Sequence, residues 1–292
     1  AVSGGTLLDA GLAEGTTSTG GSMTVASGGF ASGTTETKGN ITVQSGGSTV
    51  GTLLSGSQAY ETVQAGGVEN GATIIRGQDT VAGSAFGDTA TTLGKINVLS
   101  GGYTSGSTVT RHAHETVSAG GTAVGTILDQ QGMDYVYGAS VSATVKGGSQ
   151  QSISAGGTAS ETTVGSGSIQ YDAGRTDHTT LQQGAFETVL SGGVADETTV
   201  ASGAWLTVDA GGEIDETVLA VGGHIDIDSL QYAGVAKAAI NGDTLVVTEG
   251  DASYTIDLEG DYSDYHAELT KDGDGSTVVT LAKGSEICFL PG

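Results

Sequence analysis

Repetition, composition and turn chemistry together predict an all-β chain. The expected architecture is a β-solenoid (β-helix) of about 12 rungs over residues 1–228, with a small antiparallel C-terminal β cap over 229–287. Repetition is the strongest of the three signals. A valine before a glycine pair returns as TVASGG (24–29), TVQSGG (42–47), TVQAGG (62–67), NVLSGG (97–102), TVSAGG (116–121), SISAGG (152–157), TVLSGG (188–193) and TVDAGG (207–212). A second phrase falls between these: GTLL (51–54), GTIL (125–128), TTV (162–164), TTL (179–181), TTV (198–200) and ETVL (216–219). Its lead threonine can be followed from Thr34 through Thr52, Thr73, Thr91, Thr108, Thr126, Thr144, Thr162, Thr179 and Thr198 to Thr217. The mean period is about 18.3 residues.

Composition supports a folded repeat. Glycine fills 52 of 292 positions, aromatic residues are 5%, charged residues 14% and hydrophobic residues only 36%. Disorder would bring abundant Pro, Lys and Glu, whereas this chain is rich in Thr and Val, which favour a pleated backbone. Each unit reads as two short β-prone stretches separated by glycine-rich corners, with no helical spacing of apolar residues. One such unit cannot bury its inner face alone. Stacking the next unit at about 4.8 Å buries it and satisfies the backbone, and 12 rungs give a rod about 58 Å long.

The columns follow from strand alternation. Val25, Val43, Val63, Val81, Val98, Val117, Ile153, Val189 and Val208 are expected to form an inward aliphatic file. The Ser or Ala two residues later (Ser27, Ser45, Ala65, Ser100, Ala119, Ala155, Ser191, Ala210) is expected on the same face, kept small by a narrow corner. Leu54, Leu128, Val164, Leu181, Val200 and Leu219 form the opposing apolar file, and the threonines form hydroxyl-bearing ladders. After GGHIDIDSL (222–230) the period weakens. Alternating segments TLVV, YTIDL, HAELT and TVVTL then follow, separated by Asn-Gly, Glu-Gly and Asp-Gly turns. This is the expected cap, which covers an otherwise open rung.

The net charge of −24, from 33 acidic against 9 basic residues, argues against nucleic acid or an anionic membrane surface as partner. The single cysteine allows no internal disulfide, and no apolar run reaches membrane-spanning length. The chain opens inside the repeat texture without a leader, so it is expected to be a mature or trimmed piece of a longer parent.

The V-x-[SA]-G-G units resemble the passenger repeats of AIDA-type autotransporter adhesins, over about residues 1–228. That resemblance implies an extracellular bacterial surface protein of adhesion, autoaggregation or biofilm. It also implies partners among cell-surface glycans or proteins, or self-association. Some members carry heptoses on repeat Ser or Thr, so the resemblance also makes the chain a candidate substrate of a protein glycosyltransferase. An autotransporter would continue into a membrane barrel. Here the chain instead ends CFLPG (288–292), which holds its only cysteine and only proline and resembles the opening of a Hint (hedgehog/intein) domain. By that resemblance Cys288 would be the autoprocessing nucleophile of the parent, attacking the carbonyl of Ile287. The other reading of Cys288 is an incidental tail cysteine.

Other candidates have plainer explanations. DGDG (272–275) resembles the start of a calcium loop but reads better as a hairpin turn. His112 and His114 are expected to share a solvated strand face, and Asp226 and Asp228 to point outward at the last rung and discourage edge pairing. Tyr60, Tyr103, Phe186 and Trp205 read as scattered surface aromatics. No cofactor, metal site or enzymatic activity is expected of the chain itself. The functional expectation is a rigid structural or adhesive rod. The alternatives are a polysaccharide-degrading β-helix enzyme and a subunit of an extracellular filament.

Overall fold

The computed structural model describes residues 3–234 and 236–284. The repeat coils into a parallel β-solenoid, and each rung has three strands where the sequence suggested two. One rung shows the pattern, with Lys95–Val98 on the first face, Tyr103–Ser105 on the second and Thr108–Thr110 on the third. Each strand lies in register over its copy. On the first face Gln78 pairs with Lys95, Lys95 with His114 and His114 with Met133. A 12-stranded parallel sheet forms the second face, and a 24-stranded sheet carries the first and third faces with two strands of the cap.

The two glycines of each doublet do different work. The first adopts a left-handed angle, as at Gly28 (φ 78°) and Gly101 (φ 79°), which glycine reaches without strain. The second marks the closest approach between rungs. A Cβ on Gly47 would lie 2.6 Å from the carbonyl oxygen of Val25, and one on Gly212 would lie 2.6 Å from that of Val189. The small residue before the doublet is exposed in the turn rather than inward, as Ser27, Ser45, Ala119 and Ala210 show. It is small because the next rung's first glycine sits above it. A Cβ on Gly120 would come within 2.6 Å of Ser100 Oγ.

The threonine series also resolves into more than one file. Thr34, Thr52, Thr126, Thr162, Thr179, Thr198 and Thr217 are buried. Thr73 instead stands over Leu53, and Thr108 over Thr89, one position further along the third face. The second corner turns on a single left-handed residue. It is glycine at Gly87, Gly106 and Gly125, then Ser142, Glu161, His178, Glu197 and Glu216.

Both expected apolar files are buried. The valine file is 0–2% exposed, and Leu54, Leu128, Val164, Leu181, Val200 and Leu219 are at most 3% exposed. A strand also turns inward the residue two before each valine. That file reads Met23, Ile41, Glu61, Asp79, Ile96, Glu115, Asp134, Gln151, Gln170, Glu187, Leu206 and Ile225, all fully buried. The interior is therefore part polar, against the expectation of a thin aliphatic core. In one rung Asp172 replaces the valine itself, between Ile153 and Val189.

The C-terminal segment closes the coil. Ser276–Lys283 pairs antiparallel with the last first-face strand, His224–Gln231, and Tyr265–Lys271 pairs beyond it. Lys237–Asn241, Thr244–Glu249 and Ala252–Asp257 form a separate antiparallel sheet. The other edges of the last rung are met by side chains and backbone of the cap. Tyr254 Oη donates to Gly212 O, Leu219 N–H donates to Tyr262 Oη at 3.0 Å, and Thr217 exchanges backbone hydrogen bonds with Asp257 and Glu259. Among the described residues no helix is long and apolar enough to cross a membrane.

Candidate functional site

A rod of stacked strands offers files of side chains rather than a cleft, and two systems of files stand out. The first lies outside. On the first face, the residue before each valine projects outward, half-buried between its neighbours. The file includes Thr24, Thr42, Thr62, Thr80, Thr116, Thr188 and Thr207. Two positions earlier runs a file that becomes apolar and aromatic toward the cap: Ile169, Phe186, Trp205 and His224 in successive rungs. Trp205 stacks on His224 with ring centroids 4.2 Å apart. Phe186 and Trp205 are thus neighbours, where the sequence suggested scatter. Tyr60 stands alone lower in the same file, and Tyr103 packs near Phe86 on the second face.

The second corner carries an exposed acidic ladder. Ser142 Oγ donates to Glu161 at 2.6 Å, and His178 lies between Asp177 (3.2 Å) and Glu197 (2.7 Å). The hydrogen bond to Asp177, with the charges of Glu197 and Glu161, raises the His178 pKa from its ordinary value. Arg175 pairs with Asp196 beside this edge.

The second system lies inside. Glu115 Oε1 accepts from Thr104 at 3.1 Å and its Oε2 from Thr126 at 2.7 Å. Glu187 is held the same way by Thr176 (3.2 Å) and Thr198 (3.5 Å). Between them Gln151 donates to Asp134 and Ser140, each at 3.0 Å, and Gln170 donates to Gln151 at 3.0 Å. Burial pushes these carboxyls up: Glu187 to about 8, Asp172 to about 6, and Asp134 well above the usual range. Glu61, Glu69, Asp79 and Asp88 form a further group in which far fewer oxygens find donors.

Sequence reasoning missed this interior spine, although its signal was present. ETV, DTV and FETV place an acid two residues before an inward valine, and strand parity turns both the same way.

The other candidates resolve individually. His112 sits in a turn with φ 61°, whereas His114 lies on the following strand, half-buried against Tyr135, so the two do not share a strand face. Desolvation, with the nearby charge of Lys95, lowers the His114 pKa. Asp226 is 6% exposed and accepts from Ser276 Oγ in the covering strand. It does not ward off edge pairing; the edge is paired. Desolvation raises its pKa to about 6. DGDG is a hairpin turn in which Asp272 Oδ1 accepts from the backbone N–H groups of Asp274, Gly275 and Ser276. Ile287 and Cys288 lie outside the described residues.

No protein-family model matches the chain, and no curated protein matches it. Among solved structures it is similar to a TibC-catalysed hyper-glycosylated fragment of TibA. The two share 32% sequence identity at a TM-score of 0.71, over 76% of this chain and 86% of that one. Identity at that level, across most of the compared fragment, places the chain in the family of AIDA-type autotransporter adhesin passengers.

Proposed function

We propose that the chain is a structural and adhesive module of a larger extracellular bacterial protein, a rigid rod that spaces and presents surface files for adhesion or aggregation. The observation that supports this most directly is the regularity of the coil. Among the described residues the three faces repeat in register from Gln78 onward, with only short register shifts in the strands before Val63 and no insertion large enough to build a cleft. Rigidity follows from stacked backbone pairing, and reach follows from the number of rungs. Because TibA is a substrate of TibC, the outward threonine file of the first face is proposed as the acceptor for a protein glycosyltransferase. Regular spacing would make the rungs that carry a threonine there equivalent acceptors, while Asn97, Tyr135, Tyr171 and Asp226 interrupt the file.

The test is display of the chain on a non-aggregating bacterial strain, with settling measured against a variant in which residues 186–204 are removed. That deletion takes out one full turn, because Phe186 stands over Ile169 and under Trp205. Settling or surface binding by displayed cells supports the reading. Release of reducing ends from polysaccharides, without any adhesion or aggregation, would replace it with the enzyme reading.

A further inference from the structure

We propose that the interior carboxylates Glu69, Asp79 and Asp88 form a binding site for a hard divalent cation of the calcium or magnesium type, enclosed as the rungs close over it.

The argument starts from position. The second-face inward file reads Ala31, Thr49, Glu69, Ala85, Thr104 and Ala123. The first inward position of the third face reads Thr34, Thr52, Ala72, Asp88, Ser107 and Thr126. Over one turn of the coil, spanning two adjacent rungs, these two files turn acidic where the neighbours just named are small or hydroxyl-bearing, at Glu69 in one rung and Asp88 in the next, and Asp79 supplies an acid from the first face of that next rung. Three faces each send one carboxylate to a common point. One oxygen from each of the three lies within 4.8 Å of the others; three oxygens bonded at about 2.3–2.6 Å to one ion stand up to about 4–4.5 Å apart, so a small side-chain adjustment brings them onto a shared ion, calcium more readily than the shorter-bonded magnesium.

The second observation is the lack of donors. All three side chains are fully buried. Among the described residues no oxygen of Glu69 or Asp79 accepts a well-formed hydrogen bond; what lies nearest them is one another's carboxyls and that of Glu61, with the Thr80 N–H beside Asp79. Asp88 uses only Oδ1, accepting from Ala72 N–H at 2.9 Å. Glu115 and Glu187, in the same interior, instead have a threonine hydroxyl at each oxygen. A buried carboxylate needs a partner or a counter-charge, and carboxylate oxygens suit a hard cation. Neighbouring Glu61, which accepts from Thr49 at 3.0 Å, adds a fourth acid to the group. Desolvation first, then the charges of Asp79, Glu61 and Asp88, push Glu69 well above the ordinary carboxyl range when no cation shares the site.

The experiment is metal analysis of the full chain, folded in calcium and magnesium and then gel-filtered in EDTA to strip exposed ions. The proposal expects about one ion per chain to survive. It also expects Tm to fall by about 5 °C when the protein is instead refolded in EDTA. Glu69→Gln and Asp79→Asn, each close in shape, should lose the ion and the Tm difference, while Glu187→Gln should keep both. A folded wild-type chain that holds no ion and melts identically in EDTA overturns the proposal and leaves protons as the charge balance. An ion retained by both Glu69→Gln and Asp79→Asn also overturns it, by placing the ion elsewhere. The wild-type metal content is decisive even if a variant fails to fold.

Discussion

Glu187 offers a clean way to make the polar interior visible in solution. Its side chain is fully buried, held by Thr176 and Thr198, and titrates at about 8 against 4.5 for the unfolded residue. Burial is the main cause, and the charge of Asp172 adds to it. Between those two values the folded chain keeps a proton that the unfolded chain has released. This contribution to stability is therefore greatest below the unfolded value and declines as pH rises through the window. The slope is at most about 1.4 kcal/mol per pH unit, or roughly 3–4 kcal/mol between pH 5 and pH 8. Glu187→Gln mimics the protonated acid and removes that share of the slope. The variant should match the wild type near pH 5 and exceed it by roughly 3–4 kcal/mol near pH 9. Urea titrations from pH 5 to 9 can be followed by Trp205, the only tryptophan, which stands one rung from Phe186 beside this acid. Parallel stability–pH curves for the two proteins would refute the reasoning.

Four further outcomes are expected. Gly101→Ala meets open space and only a left-handed angle, so urea melts should show a loss of about 1 kcal/mol. Gly102→Ala drives a Cβ onto the carbonyl oxygen of Val81 and should cost about 3 kcal/mol in the same assay. Removing residues 186–204 keeps register, so circular dichroism should remain that of β structure while the rod shortens by about 4.8 Å in small-angle scattering. Truncation after Gln231 strips the strand that pairs with Ile225–Ile227. Size-exclusion chromatography and electron microscopy should then show end-to-end association.

The coil was legible because its signals are local and repeated. Inward valines, glycine doublets and strand parity recur often enough that individual exceptions do not hide them. The second-face strand of each rung was harder to see. Segments such as Tyr103–Ser105 and Thr122–Val124 are three residues long and lack a shared apolar residue, because Thr104 and Ala123 fill the inward position. The interior acids were missed for a related reason. An acid between threonines reads as solvated surface until the faces are folded together and Glu69 and Asp79, from two strands, meet Asp88, from the corner before a third. The cap was legible from its Gly turns, but its attachment was not. The contact of Tyr262 with Leu219 spans 43 positions, and no local pattern announces it.

The second glycine of each doublet also has a mechanical consequence. With backbone resting on backbone between turns, there is no compliant side-chain layer along the axis to stretch. A pull on the two ends should leave the length nearly constant until one turn peels away, releasing about 65 Å of slack for its nineteen or so residues. The remaining turns would stay intact, so under tension the molecule would yield in discrete steps, each absorbing work before the tether is lost.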